Sequence, residues 1–246
     1  MPIKTEALVI KVMDVGESDR LLTLLTKEYG IIKAFASGAK KLRSKYYAAT
    51  SALCYSDFTL REVKDSFRVS DAFLKHNFFK IGSDVKMLSL GQYFCEVAEI
   101  LSPPDQESHD MLRLLLNCFY HINSERIFTP LLKSIFELRA LSVSGYMPNL
   151  LLCDNCGCFN ENEMYFYTDD GILHCKNCIT ENDGGIYLDS TLISAMRHIV
   201  YSDFEKVFSF SIPDEKAKRL SKITEKFLIS QTERKFKTLD FYYSLD

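Results

Sequence analysis

Residues 6–73 contain short apolar runs that are separated by turn residues. The predicted strands are Glu6–Val12, Asp19–Thr26, Gly30–Ser37, Leu53–Val63 and Ser66–Phe73. Gly16, Gly30 and Gly38 interrupt the runs, and Lys64 and Asp65 lie near the last turn. Five short strands so close together in the sequence predict a small closed or partly open β-barrel.

From Ile81 onward the apolar positions recur at steps of three to five residues, which is typical of helices. The predicted helices are Asp84–Leu101, Met111–His121, one that Thr129 caps and Gly145 ends, Ser190–Tyr201, and one that runs from Ser211–Pro213 to about Lys235. Between the third and fourth helices, Met164–Tyr167 and Ile172–His174 predict a β-hairpin with its turn at Thr168–Gly171. The pattern predicts an α+β fold, with a barrel domain at residues 1–78 and an all-helical domain at residues 79–246, interrupted by a small module at about residues 150–186.

Two cysteine pairs within that module, Cys153/Cys156 and Cys175/Cys178, have the spacing of a four-thiolate zinc site. Eighteen residues separate Cys156 from Cys175. Four sulfur ligands close the coordination sphere, so the predicted ion is one structural zinc without a site for water. The neighbours Cys158 and His174 could each replace one ligand, but the two clean pairs favour spectator roles for both.

The module is acidic, because residues 153–185 contain a single basic side chain, Lys176. The seven acidic residues there are Asp154, Glu161, Glu163, Asp169, Asp170, Glu181 and Asp183. Such a surface repels phosphate, so the predicted zinc module is not a DNA reader. A thioredoxin-like redox role would need one reactive CxxC in a βαβ setting, whereas these pairs flank a hairpin.

The composition indicates a cytoplasmic protein that contacts no membrane. Of the 246 residues 47% are hydrophobic, yet no apolar run approaches the length of a membrane span. The first residues lack the apolar stretch of a signal peptide. Cys54, Cys95 and Cys118 are isolated within apolar patterns and are predicted to be buried thiols.

The basic charge is concentrated in the N-terminal third of the chain. The net charge is only −3, but residues 1–75 contain 13 Lys and Arg against nine Asp and Glu. The stretch between Glu28 and Asp57 has no acidic residue, and its basic residues are Lys33, Lys40, Lys41, Arg43 and Lys45. A basic loop beside a small barrel is suited to a phosphate backbone. Tyr46 and Tyr47 follow the cluster and could stack on bases or pack in the barrel core.

A series of short motifs runs in order along most of the chain, from Glu6 to Cys178. They are Gly16-Glu17-Ser18-Asp19, Thr26, Gly30, Gly38-Ala39-Lys40-Lys41, Arg43-Ser44, Phe136-Glu137-Leu138-Arg139, Gly145-Tyr146-Met147-Pro148 and Cys153-x-x-Cys156-Gly157. The ordered set resembles the RecO family, the recombination mediators of bacterial DNA repair. The resemblance implies a five-stranded barrel of the oligonucleotide-binding (OB) type, a helical domain and an inserted zinc module. It also implies binding and annealing of single- and double-stranded DNA, a nucleoid-associated location, partnership with RecR, contact with the single-stranded-DNA-binding protein, and help in loading RecA.

The resemblance also suggests which residues make these contacts. The predicted DNA-binding residues are Lys33, Lys40, Lys41, Arg43 and Lys45, together with Arg20, Arg61 and Arg68. Lys133 and Arg139 are candidates for the rim of an apolar slot that receives the acidic C-terminal tail of the single-stranded-DNA-binding protein; the alternative is that both are ordinary solvated helix charges. A further basic set shares one helix face and is either an exposed face or an extension of the DNA track: Lys218, Lys222 and Lys226.

Three classes of function compete for this sequence. The first is a DNA-binding and annealing protein that needs no bond chemistry and no small-molecule substrate. The second is a protein-interaction scaffold whose barrel binds a protein partner. An enzyme is disfavoured, because the sequence has no Walker-type phosphate loop, and no histidine lies in an HExxH or nucleophile-elbow context.

Overall fold

The computed structural model describes residues 2–64, 66–78, 81–82, 84–159, 162–179 and 184–245. Four residues named above lie outside the described residues: Asp65, Glu161, Glu181 and Asp183. The chain forms two compact units. The barrel unit is Met1–Asn123 with Phe236–Asp246, and the ribbon unit is Ser124–Lys235. The domain boundary at residue 78 stays a prediction.

The N-terminal strands form a closed five-stranded barrel, as predicted. They are β1 (Ile3–Val15), β2 (Asp19–Thr26), β3 (Ile31–Ala36), β4 (Cys54–Val63) and β5 (Ser66–Asn77). Their order around the barrel is β1-β2-β3-β5-β4, and β1 also pairs with β4. All pairs are antiparallel except β3 with β5, which run parallel. This is the five-stranded arrangement of the OB type.

Alternation along the strands separates the barrel interior from its outer face. In β3, Ile32, Ala34 and Ala36 are buried in the core, so Ile31, Lys33 and Phe35 point outward. Arg20 of β2 pairs with Ala36, and β5 begins beside the end of β3. The β1–β2 turn, the end of β3 and the β4–β5 turn therefore lie at one end of the barrel, where the loop between β3 and β4 also begins.

The helices of the barrel unit whose full bounds are described are α1 (Val85–Leu101), α2 (His109–Ser124) and, from the far end of the chain, α6 (Lys237–Tyr243). The Asp84 carboxylate caps α1 by accepting from the amides of Lys86 and Met87. The C-terminal segment returns to α1, where the Phe236 ring meets the Tyr93 ring edge-on at 5.5 Å between centroids. Helix α6 was not predicted, because its seven residues are too few to show a helical period.

The ribbon unit contains α3 (Thr129–Val143), α4 (Ser190–Tyr201), α5 (Asp214–Thr232) and a three-stranded sheet. Helix α4 has the predicted bounds, but α5 ends before Glu233, whose backbone is left-handed at φ 52°. The predicted cap of α3 was wrong: Thr129 is the first helical residue, and Phe128 occupies the cap position without a side-chain hydrogen bond. Among the described residues, none of the helices is long and apolar enough to cross a lipid bilayer.

The sheet of the ribbon unit confirms the predicted hairpin and adds a strand. The strands are β6 (Glu163–Tyr167), β7 (Ile172–His174) and β8 (Ile186–Asp189), in the order β7-β6-β8. Gly171, at φ 68°, closes the turn by donating its amide to the carbonyl of Tyr167 at 2.8 Å. The sheet and the cysteine pairs stand between α3 and α4, so the small module is an insertion among helices, as predicted.

Candidate nucleic-acid interface and metal site

The basic loop between β3 and β4 is fastened to the β1–β2 turn. The Asp19 carboxylate accepts the amide of Gly38 at 2.7 Å and the hydroxyl of Ser18 at 2.8 Å, and the Lys40 amide donates to the carbonyl of Ser18 at 2.9 Å. Gly38 has a left-handed backbone at φ 67°, which costs glycine little. The Gly38 amide, then Ser18 and the charges of Lys41 and Arg68, hold the pKa of Asp19 below its usual value. The loop is therefore tied down at its start.

Arg20 holds the far half of the same loop. Its Nη1 donates to the Tyr47 carbonyl at 3.0 Å and to the Thr50 hydroxyl at 3.1 Å, and its guanidinium lies 4.7 Å from the centre of the Tyr47 ring. Only 8% of Arg20 is exposed. This placement differs from the predicted phosphate contact, because a buried, bonded guanidinium positions the loop and presents little charge to solvent.

The remaining basic residues of the loop stay on the surface. Lys41 and Arg43 are exposed and form no ion pair with any residue that the structure describes. Lys40 pairs with Asp14 at 3.0 Å, and Lys45 pairs with Asp71 at 3.1 Å. The loop thus brings four of the predicted residues together, and two of them, Lys41 and Arg43, form no ion pair with a described residue.

The two tyrosines of the loop serve the fold. Tyr46 packs against the barrel core, and its hydroxyl donates to the Ser70 carbonyl at 2.8 Å. The Tyr47 ring is covered by Arg20. Of the two roles that the sequence left open, the structure therefore favours packing over base stacking.

A second basic area lies on the outer face of β3, β5 and β4. Arg61 and Arg68 are exposed and directly opposite each other in the β4–β5 register. The Arg68 guanidinium lies 5.7 Å from the centre of the Phe35 ring, and Lys33 is exposed two residues earlier on β3. Like charges directly opposite each other destabilise a strand pair, and among the described residues neither arginine has an ion-pair partner. An anionic ligand would relieve this repulsion.

Lys133 and Arg139 both form contacts within the ribbon unit. Lys133 is 2% exposed, and its ammonium contacts Glu137 at 2.7 Å and Glu225 at 2.9 Å. Arg139 donates to the carbonyls of Ile199 and Val200, at 3.2 and 2.8 Å, near the end of α4. Both predicted partner contacts are instead engaged in joining helices of the ribbon unit.

The four predicted ligands form one cluster. The sulfur atoms of Cys153, Cys156, Cys175 and Cys178 all lie within 4.8 Å of one another. The Cys156 and Cys175 sulfurs are 3.7 Å apart, and metal–sulfur bonds of about 2.3 Å in a tetrahedron require about 3.8 Å. Burial alone would raise the pKa of Cys153, but amides of Cys175, Cys156 and Asn155 bring it to about 6, which favours the thiolate. The cluster could hold a metal ion.

Cys158 and His174 are not part of the four-cysteine cluster, although the Cys158 side chain contacts those of Cys175 and Cys156. The carbonyl of Cys158 accepts the Cys153 amide at 2.9 Å and so closes the turn that contains the first cysteine pair. The His174 ring packs against the Tyr167 ring, with 4.6 Å between the ring centroids. The one basic side chain of the module, Lys176, lies 3.4 Å from Glu163. The described acidic residues of the module are Asp154, Glu163, Asp169 and Asp170. The part of the module that the structure describes is therefore acidic, as predicted.

Two residues of the interface were not found from the sequence. Asp19 belongs to one of the sequence motifs, but its role in fastening Gly38 depends on a contact nineteen positions away. Phe35 belongs to a predicted apolar strand, and the alternation in β3 places it on the same face as Lys33. The two-residue alternation of the strand therefore predicts the outward position of Phe35, whereas no neighbouring residue predicts the contact of Asp19 with Gly38.

Comparison with known proteins agrees with this architecture over nearly the whole chain. The family described as "Recombination protein O N terminal" matches residues 1–78, and "Recombination protein O C terminal" matches residues 82–240. The chain is 30% identical over 245 residues to a DNA repair protein RecO of Acetivibrio thermocellus, covering 99% of this chain and 97% of the relative. It is 31% identical over 243 residues to one of Clostridium perfringens strain 13, covering 97% and 96%. The chain belongs to the RecO family of DNA repair proteins.

Proposed function

We propose that this chain is a recombination mediator that binds and anneals single-stranded DNA and helps to load RecA onto strands coated by the single-stranded-DNA-binding protein. The observation that carries the proposal is the basic loop, which Asp19 and Arg20 fasten at one end of an OB-type barrel. Its curated relatives are named DNA repair proteins. We propose that the protein acts in homologous recombination and DNA repair, and that it is located in the cytoplasm at the nucleoid.

The DNA contact is electrostatic in this proposal. Lys41 and Arg43 supply exposed charges that have no ion-pair partner among the described residues, and Arg61 with Arg68 supplies a second pair. Phosphate contacts do not read bases, so binding would be independent of sequence and would extend to double-stranded DNA. The Phe35 ring under Arg68 could support a base.

Annealing then follows from charge neutralisation, with no bond made or broken. Two strands repel each other through their phosphates, and cationic side chains that cover both lower the repulsion. The proposal therefore includes no catalytic residue and no small-molecule substrate.

The metal in this proposal is one structural zinc ion. Four thiolates suit zinc and leave no coordination position for a substrate. An ion bound by the four thiolates would link the first cysteine pair to the second and so stabilise the module; the thiolates are those of Cys153, Cys156, Cys175 and Cys178. The acidic surface around the cluster supports a role away from DNA.

The proposed protein partners are RecR and the acidic C-terminal tail of the single-stranded-DNA-binding protein, with RecA reached indirectly. Lys133 and Arg139 are not retained as contacts for the tail, because one is buried and both are bonded within the ribbon unit.

The test is fluorescence anisotropy of a labelled oligothymidylate across a salt series. Five neutralised phosphates give a slope of about −3.5 in log K against log salt. Lys41→Gln with Arg43→Gln should make the slope shallower by about 1.4, because two contacts are lost. The matched control, Lys41→Arg with Arg43→Lys, keeps both charges and should behave as wild type. No binding even at low salt would reject the proposal and favour a protein-interaction scaffold.

A further inference from the structure

Helix α5 has three lysines in a row along one side: Lys218, Lys222 and Lys226. They are four residues apart, so the row extends about 12 Å at a rise of about 1.5 Å per residue. All three are exposed, and none forms a hydrogen bond or ion pair with the residues that the structure describes. We refer to these residues as the α5 lysine row.

The α5 lysine row forms no ion pair with a residue that the structure describes. Like charges four residues apart repel each other, and exposed helices commonly alternate them with acids. Glu225 lies between two of the lysines in sequence, but its carboxylate pairs with Lys133 at 2.9 Å instead. The other acids of α5, Asp214 and Glu215, precede Lys218 by four and three residues in the first turn, where the helix dipole favours them, and neither forms an ion pair with the row. The repulsion along the row would be relieved by an anionic ligand.

The chemistry of the row favours a phosphate backbone over an acidic protein segment. No large hydrophobic side chain between Asp214 and Thr232 is among the exposed ones of the described chain. Protein docking surfaces depend on buried apolar and aromatic anchors. A phosphate backbone needs only a line of cations.

We propose that the α5 lysine row is a second contact surface for single-stranded DNA, carried by the ribbon unit and additional to the basic loop of the barrel unit. The proposal rests on the function proposed above. It gives that function a separate cationic surface for the second of the two strands. One strand is held through the basic loop, and the other through the α5 lysine row.

The experiment compares two triple variants of the full chain with wild type. Lys218→Gln, Lys222→Gln and Lys226→Gln remove the charges, while the matched control replaces the same lysines with arginine and keeps them. Lys, Gln and Arg have similar helix propensities, so both variants should keep the fold, which circular dichroism melting checks. The first readout is the annealing rate of two labelled complementary oligonucleotides. The second is the slope of log K against log salt for binding of oligothymidylate. The third is the degree to which bound oligothymidylate protects each lysine from chemical acetylation.

The glutamine variant should anneal about tenfold more slowly, and its salt slope should be shallower by about 2, because three phosphate contacts are lost. The arginine variant should match wild type. In wild type, oligothymidylate should protect all three lysines from acetylation.

Other outcomes separate this proposal from the one on which it rests. If the glutamine variant anneals normally and the lysines are not protected, while Lys41→Gln with Arg43→Gln binds weakly, the row is rejected and the mediator function stands. If wild type neither binds nor anneals DNA, both are rejected. If an aspartate-rich synthetic peptide protects the row and oligothymidylate does not, the row is a protein-binding surface and the DNA assignment is wrong.

Discussion

Replacing Arg20 with lysine separates a positioning role from a direct DNA contact. Lysine keeps the positive charge, but it cannot reproduce the geometry by which Nη1 reaches both the Tyr47 carbonyl and the Thr50 hydroxyl. If Arg20 acts through its charge on phosphate, the variant should be nearly neutral. If it holds the loop, the variant should loosen residues 38–52.

The size of the effect follows from the bonds lost. A hydrogen bond to a charged group contributes about 1.5–3 kcal/mol, and lysine would lose at least one of the two. The stacking on Tyr47 contributes about 0.5–1 kcal/mol more. Because Arg20 is 8% exposed, solvent screens these contacts little. The loop should therefore lose about 2–4 kcal/mol of local stability.

Hydrogen exchange read by mass spectrometry measures this change locally. The amides of Thr50 and Ser51 donate to the carbonyls of Tyr46 and Ala48, at 3.0 and 3.2 Å, so they exchange when the loop opens. A loss of 2–4 kcal/mol predicts exchange that is about 30- to 1,000-fold faster. Amides of α4, in the ribbon unit, are the internal control and should not change. Loop exchange within threefold of wild type would refute the positioning role.

Three further predictions test the metal site, the loop anchor and the buried ion cluster. Cys175→Ser, or removal of the metal by a chelator, should lower the melting temperature of the ribbon unit before it weakens DNA binding, because the ion links the two cysteine pairs. Calorimetry measures the melting temperature, and fluorescence anisotropy measures DNA binding. An unchanged melting temperature in metal-free protein would contradict this prediction. The Gly38 amide holds the pKa of Asp19 below its usual 3.8, so the contribution of the carboxylate to loop stability is complete above that pH and is lost as the pH falls below it. Loop protection factors in wild type should therefore fall as the pH is lowered from about 4 through the lowered pKa of Asp19, and Asp19→Asn should remove most of that difference. Lys133→Met should destabilise the ribbon unit by about 3–5 kcal/mol in urea, because it leaves Glu137 buried without its cation. Adding Glu137→Met should restore much of the loss, and failure to do so would show that the pair is not the source.

Features that depend on neighbouring residues were predictable from the sequence. The strand Asp19–Thr26 and the helix Ser190–Tyr201 have the bounds that their periods predict. The cysteine spacing predicted the thiol cluster for the same reason, since each knuckle is a local turn.

Features that depend on distant partners were not predictable. Strand β8 has only four residues, and it is a strand because β6 pairs with it. Helix α6 has only seven residues, and it packs on α1, from which it is separated by more than a hundred residues. Thr129 looked like a cap, yet the chain places Phe128 there, because helix ends depend on how the preceding segment enters.

The sequence by itself determined which residues are basic and that they are concentrated in the N-terminal third. It did not determine which of those charges reach solvent. Arg20 and Lys133 are buried and bonded, whereas Lys41 and Arg43 are exposed. Charge is a property of the side chain, but its availability to a ligand depends on burial and on the nearest carboxylate or carbonyl. Only the tertiary structure brings those groups together.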